Sequence, residues 1–387
     1  MSHDFNFQPT AMLVLETGES FPGLYVGKSQ RVTGILCFNT SMTGYQETLS
    51  DPSYAGQILV FTFPHIGNVG TNAQDQEALQ PHLQAVVLGD QITLPSNYRS
   101  ESSLSSWFKK YEIPTIVGVD TRALVHTIRN YGKPLKAAIV PYENQGQDLQ
   151  SSQHNAKEAL TLDNDYTQVV STKTPYVWEG GRPYAKANKK ESFPQNYKLV
   201  LVDYGAKANI MRILVSLDCT IQVVPPTMSF SDIQKYNPDG IILSNGPGDP
   251  CSVSSIIHEN IKTLIVSDYP ILGICFGYQL LALAYQAHVV KMSCGHHGIN
   301  HPVLEIDTGK ILITSQNHEF AVDETTLPAS LIPTYRSLFD GSLEGFKVFN
   351  KPITAVQFHP EACPGPLDAN YILEDFIGDV IRNAQAH

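Results

Sequence analysis

The run Gly273-Ile274-Cys275-Phe276-Gly277 places a thiol where an apolar stretch ends and an amphipathic one begins. A cysteine between a strand and a helix has the layout of a nucleophile elbow, with sulfur in place of a hydroxyl. The tight turn needs small neighbours, and the two glycines supply them. The helix N-terminus beneath the sulfur favours thiolate over thiol. The N–H of Phe276 then points to where the oxyanion of a tetrahedral intermediate forms. The alternative is a small cysteine buried inertly between strand and helix, as free cysteines commonly are. The glycines and the strand–helix context favour the nucleophile.

A cysteine nucleophile needs a base and a group to orient it. The apolar run Ile353 to Phe358 delivers His359-Pro360-Glu361. Residues two apart on an extended segment share a side. Glu361 can therefore hold one nitrogen of His359 while the other faces Cys275; the bland alternative is a His–Glu pair that merely closes a strand. The loop Asn245-Gly246-Pro247-Gly248-Asp249 follows another apolar run and forms a second wall for the oxyanion, although Asn-Gly and Pro-Gly also mark ordinary turns. That loop is not a phosphate-binding loop, because the Lys-Ser/Thr end is missing. Cys294, His296, His297 and His301 cluster in sequence, yet lack zinc-ligand spacing. They read as a loop supporting the site, and no metal is expected.

Positioning these residues requires strand ends. From Tyr197 onward the chain alternates apolar strands with helical stretches: 199–203, 220–224, 240–243 and 270–274 as strands; 208–217, 230–236, 256–266 and 276–285 as helices. That alternation predicts a doubly wound, mainly parallel sheet with helices on both faces, and ligands in such folds sit beyond the carboxyl ends of the strands. The first 140 residues carry short strand-like runs (11–16, 34–38, 58–62) and a helix after Asp120 with Leu124, Val125 and Ile128 as its stripe, which predicts a mixed α+β domain. Residues 143–196 turn polar and read as an irregular connector. The predicted domains are 1–193 and 194–387.

The 387 residues are 42% hydrophobic and 16% charged, with net charge −11. Such a chain buries real cores and repels nucleic-acid backbones. Apolar runs are too short for a membrane-spanning helix. The opening stretch is polar and lacks the pattern of a secretory leader. Six scattered cysteines without a CxxC pair read as reduced thiols in the cytoplasm.

Taken together, SNGPGDP (244–250), GICFGYQLLALA (273–284) and HPEA (359–362) resemble the class I glutamine amidotransferases. The resemblance implies that glutamine acylates Cys275, that His359 shuttles the proton, and that Glu361 orients it. A γ-glutamyl thioester forms and water hydrolyses it. FNTSMTGYQE (38–47), DPSY (51–54), FPHIGNVG (63–70) and VDTR (119–122) narrow the likeness to the small subunits of carbamoyl-phosphate synthase, as do GHHGINHPV (295–303), TSQNH (314–318) and SLFDG (337–341). It spans nearly the whole chain. It implies contacts to L-glutamine from Ser53, Gly246, Gly248, Phe276, Gln279, Asn317 and Phe320. It also implies a large-subunit partner that uses the ammonia with bicarbonate and two ATP to make carbamoyl phosphate for pyrimidine and arginine biosynthesis. ATP and Mg then belong to that partner, and this chain carries no cofactor. Two positions depart from the pattern. Tyr278 stands where Gly-His-Gln is usual, and Glu319 where glycine is usual; a positive φ there would strain a glutamate. A non-catalytic regulatory subunit and a different cysteine hydrolase, such as a peptidase, remain the rival readings. Intact Cys275, His359 and Glu361 count against the first, and the N-terminal motifs against the second.

Overall fold

The computed structural model describes residues 8–27, 30–141, 165–178 and 197–386. Spatial grouping divides the chain into two units, one of residues 1–45, 56–72 and 83–162, the other of 46–55, 73–82 and 163–387. Ser53 and its neighbours therefore group with the C-terminal residues. The boundary read at 193/194 and most of the 143–196 connector lie outside the described residues.

The first unit is a closed barrel of strands β1 (Ala11–Leu15), β2 (Ser20–Val26), β3 (Val32–Asn39), β4 (Gln57–Phe61), β5 (Ala85–Val87), β6 (Thr115–Val117) and β7 (Leu135–Pro141), in the order β1-β2-β6-β5-β4-β3-β7. Closure removes free sheet edges. Alternate residues such as Leu13 and Leu15, or Ile58 and Val60, enter one apolar cluster, as the two-residue strand period requires. Helix α1 (Thr121–Tyr131) packs Leu124, Val125 and Ile128 on that cluster. Asp120 Oδ1 accepts from Ala123 N at 2.9 Å to start this helix, and Gly132, at φ 69°, ends it. The mixed barrel with its helix agrees with the reading of this region.

The second unit is built on a ten-stranded sheet. In chain order its elements are β8 (Tyr176–Val177), β9 (Tyr197–Val202), α2 (Ala208–Ser216), β10 (Cys219–Val224), α3 (Phe230–Gln234), β11 (Gly240–Leu243), α4 (Ser255–Leu264), β12 (Ile271–Ile274) and α5 (Phe276–Ala284). There follow β13 (Val289–Glu305), β14 (Ile311–Val322), β15 (Leu331–Ser337), β16 (Leu343–Val348), β17 (Ile353–Val356) and α6 (Tyr371–Ala386). The strand order is β14-β13-β15-β16-β17-β12-β11-β9-β10-β8, and β10, β9, β11, β12 and β17 run parallel. The central strands are near-continuous apolar runs because both faces are covered. Leu199, Leu201, Leu272 and Ile274 meet α2 and α6 on one face; Val200, Val202, Ile271 and Leu243 meet α4 and α5 on the other. Helix α5, expected to be amphipathic, is apolar nearly all round, which fits the burial of its residues 276–282.

One expectation is corrected. The stretch 294–301, read as a loop, lies within β13, which pairs with β14 over most of its length. Its glycines, histidines and proline break the apolar alternation, and the register shifts twice, between Lys291 and His296 and between Gly298 and His301. Backbone pairing, not patterned burial, makes this a strand. Gly295 is held close to β14: a Cβ there would stand 2.6 Å from His318 O.

Candidate active site

Adjacent strand ends assemble the site. β9, β11, β12 and β17 are successive neighbours, so their carboxyl ends bring together residues 203–207, 244–248, 275 and 357–361. Cys275 N donates to Val356 O at 2.8 Å and Gly277 N to Ser244 O at 3.0 Å, tying the elbow to both flanking strands. Cys275 itself carries the strained backbone, at φ 52° and ψ −98°. A non-glycine residue in such a conformation persists only where its surroundings impose it, and such strain clusters at active sites. The glycines serve space, not φ. A Cβ on Gly277 would stand 2.2 Å from Leu243 O, and one on Gly273 2.6 Å from Leu281 Cδ1. Cys275 is 2% exposed.

His359 and Glu361 meet as the sequence predicts: Nδ1 of His359 lies 2.6 Å from Glu361 Oε1. The support differs from a plain strand. β17 ends at Val356, and His359 is held by a single antiparallel bridge, its N donating to Ser315 O at 2.9 Å. The other ring nitrogen, Nε2, is buried, and the ring also interacts with the Cys275 side chain. Burial by itself would push the imidazolium form away; the Glu361 carboxylate and the neighbouring Cys275 side chain outweigh it and raise the pKa to about 10. Glu361 shows the converse. Burial raises its pKa, but Lys207 and His359 prevail and hold it near 2.

Lys207 is a residue the sequence reading missed. It is 2% exposed, its Nζ lies 3.2 Å from Glu361 Oε1, and it also donates to Ala362 O. Burial alone would lower its pKa, yet Glu361, Asp51 and Glu77 raise it above the ordinary lysine value. Glu77, nearly inaccessible, is paired with Arg212 at 2.6 Å. Burial raises the Glu77 pKa, and Arg212 and Lys207 offset part of that. A lone lysine in the turn after β9 gives no spacing signal. Only the strand-end position of Asp203-Tyr204-Gly205-Ala206-Lys207, beside the elbow, marks it out.

The residues expected to touch substrate fall into two linked groups. Asn245 Nδ2 donates to Ser53 Oγ at 2.9 Å and to Gly205 O at 3.0 Å, while its Oδ1 accepts from Lys207 N at 3.0 Å. Ser53 sits in a short 3₁₀ turn capped by Asp51, whose Oδ1 accepts from Ser53 N at 2.9 Å. The other oxygen of Asp51 accepts from Asn317 Nδ2 at 3.0 Å, and Asn317 O accepts from Cys275 Sγ at 3.6 Å. Gln279 Nε2 donates to Phe320 O at 3.1 Å and to Gln357 Oε1 at 3.0 Å. Gly246 packs on Tyr204, where a Cβ would meet Tyr204 O at 2.6 Å, and Gly248 has φ 88°. Phe276 opens α5, where a helix leaves its first N–H groups without carbonyl partners.

Both departures from the expected pattern find room. The Tyr278 ring is buried 5.0 Å from the Phe346 ring, and its OH donates to Leu343 O at 3.0 Å. Glu319 lies in β14 outside the left-handed region, so it carries no such strain. Its Oε1 is 2.8 Å from His297 Nε2, and His297 Nδ1 is 2.9 Å from Asn317 Oδ1. Glu319 thus bears on Asn317 through one imidazole.

A second cluster, His296, His318 and Glu344, brings potential metal-ligand atoms within 4.8 Å of one another. Both His318 nitrogens, however, already face oxygens, Phe320 O at 2.8 Å and Gln316 Oε1 at 2.9 Å.

Residues 13–139 match the family model described as "Carbamoyl-phosphate synthase small chain, CPSase domain", and residues 200–378 the model "Glutamine amidotransferase class-I". The carbamoyl phosphate synthase small chain of Vibrio cholerae is 46% identical over 97% of this chain and 99% of its own length. That of Escherichia coli K12 is 45% identical over 95% and 96%, and that of Bradyrhizobium diazoefficiens 44% over 95% and 94%. The chain belongs to the carbamoyl-phosphate synthase small chains. Within this family, the elbow at Cys275 and the His359–Glu361 pair both lie in the glutamine amidotransferase region. Among the described residues no helix is long and apolar enough to cross a membrane.

Proposed function

We propose that this chain is the glutamine-hydrolysing subunit of a carbamoyl-phosphate synthase. Cys275 is its nucleophile, His359 its proton carrier and Glu361 the group that orients His359. With His359 held protonated at neutral pH, the sulfur attacks the side-chain amide carbon of L-glutamine as a thiolate. The Phe276 N–H and the Gly246–Gly248 loop stabilise the oxyanion. His359 gives its proton to the departing ammonia, leaving a γ-glutamyl thioester. Water then attacks, His359 takes the water proton, and glutamate leaves with the thiolate restored. Ser53, Gln279, Asn317 and Phe320 hold the substrate's other end. The Nε2 of Gln279 is already committed to Phe320 O and Gln357 Oε1, which turns its Oε1 toward a donor such as the substrate ammonium.

The observation that carries this reading is the strained, buried Cys275 at the β12–α5 junction beside the buried His359–Glu361 pair. The ammonia goes to a large subunit, which uses it with bicarbonate, ATP and Mg²⁺ to make carbamoyl phosphate in the cytoplasm. The test is glutamate release from glutamine by the full chain, alone and with the large subunit. The expected result is slow hydrolysis alone, faster hydrolysis with the partner, and co-migration of the two on gel filtration. No glutamate in either case overturns the hydrolase reading. Equal rates with no co-migration overturn the partner.

A further inference from the structure

We propose that Gln357 is a catalytic residue of this site, its amide N–H donating to the Cys275 sulfur and stabilising the thiolate; the inference rests on reading Cys275 as the nucleophile. Gln357 is fully buried, and its Nε2 lies 3.6 Å from Cys275 Sγ. The register of the sheet puts it there. Ile274 pairs with Val356, and Cys275 N donates to Val356 O, so the next residue on each strand is Cys275 on one side and Gln357 on the other.

Which end of the amide faces sulfur decides its effect, and the surrounding bonds fix that end. Phe320 O is a carbonyl and can only accept, so the amide group of Gln279 that meets it at 3.1 Å is the NH₂. The same nitrogen lies 3.0 Å from the Gln357 side chain, and a donor there requires an acceptor. Gln357 Oε1 therefore faces Gln279, and the Gln357 NH₂ faces Cys275. Gln357 N, donating to Glu344 O at 2.8 Å, anchors the backbone.

A buried N–H aimed at sulfur gains little from a neutral thiol, which is a weak acceptor, and much more from an anion. In the thiol form, Sγ–H can donate to Asn317 O. Loss of that proton removes this bond, while the Gln357 N–H stays directed at the sulfur as a second side-chain donor beside the His359 ring. The amide is also neutral, so it supports the negative charge without competing with His359 for the proton. Because its oxygen holds Gln279, one side chain couples the nucleophile to a wall of the substrate pocket.

The test is the pH dependence of Cys275 alkylation by iodoacetamide in the full chain, read on the Cys275 peptide by mass spectrometry so that exposed Cys251 and Cys294 do not interfere. Gln357→Met removes the donor at similar volume. The alkylation midpoint is expected to rise by about one to two pH units. Glutamate release near neutral pH should fall about tenfold or more. Gln357→Glu keeps the shape and the acceptor for Gln279 but replaces the donor with oxygen. It should shift the midpoint at least as far while KM for glutamine stays closer to the parent value than in Gln357→Met. An unmoved midpoint in Gln357→Met overturns the proposal; if that variant does not fold, the midpoint of Gln357→Glu decides in the same way. Failure of the underlying reading is separate: if complete alkylation of Cys275 in the parent chain leaves glutamate release intact, Cys275 is not the nucleophile.

Discussion

The barrel core draws on Leu13, Leu36, Ile58, Val60 and Ile139, with no ionisable acid or base among them. The ten-stranded unit buries Asp51, Glu77, Asp203, Lys207, Glu344, His359 and Glu361 as well as its own apolar clusters. Among the described residues, every buried Asp, Glu, Lys or His belongs to this second unit. Taking a charge out of water costs several kcal/mol unless partners compensate, and replacing a buried pair by apolar packing is often neutral or stabilising. Burial of charge is therefore weak evidence of a stability device. Here Asp203, Lys207, His359 and Glu361 lie just beyond the carboxyl ends of the parallel strands, beside Cys275. The barrel is stabilised by shape and apolar area, the other unit's strand ends by mutual charge compensation.

If that contrast is right, changes of equal size should fail differently in the two regions. Among the buried charged groups, the largest effect is expected at His359. His359→Asn should lower glutamate release by roughly 10²–10⁴ while the chain stays folded. Glu361→Gln, which can still accept from the ring, should lower it less, and steady-state kinetics of both variants measures the order.

Lys207→Met should act mainly on stability. It leaves Glu361 buried with His359 but without its second cation, a loss of about 3–5 kcal/mol by denaturant unfolding. Glu361 has a folded pKa near 2 against a model value of 4.5. Its contribution is therefore complete above pH 4.5 and is lost as pH falls toward 2. Removing Lys207 should move that acid loss to higher pH. His359 runs the other way. Its folded pKa of about 10 exceeds 6.5, so its contribution is complete below pH 6.5 and fades as pH rises toward 10.

The smallest effect belongs to the barrel. Ile58→Val should cost about 0.5–1.5 kcal/mol and leave glutamate release unchanged in the folded fraction. A rate loss there comparable to that of His359→Asn would break the contrast.

How much was legible in the sequence follows the same division of physics. The parallel strands and their helices could be read because apolar runs between turn residues carry that information locally. Strands expected at 240–243 and 270–274 appear at 240–243 and 271–274. The elbow was legible because glycines flank a cysteine at a change of period, although the reason for them proves to be crowding by Leu243 O and Leu281, with the positive φ on Cys275 itself. β13 was not legible, since its pairing with β14 rests on backbone bonds across two register shifts. Lys207, Asp51 and Gln357 were missed for a related reason. Each is one polar residue whose role depends on a neighbour contributed by a distant segment: Glu361, Asn317 and Cys275, respectively. Glu319, which departs from the expected glycine, has no positive φ and is held by His297 from the neighbouring strand β13, a contact that no local pattern shows.

On the proposed mechanism Cys275 forms a covalent bond with glutamine. The most direct measurement is rapid acid quenching of the full chain, with its large subunit, during turnover of labelled glutamine, followed by mapping of the Cys275 peptide. The expected result is a γ-glutamyl thioester on Cys275 that disappears as glutamate forms, and a Cys275→Ser chain that folds, carries no thioester and releases almost no glutamate. Glutamate release at the parent rate from Cys275→Ser, with no adduct on Cys275 in the parent chain, would contradict it.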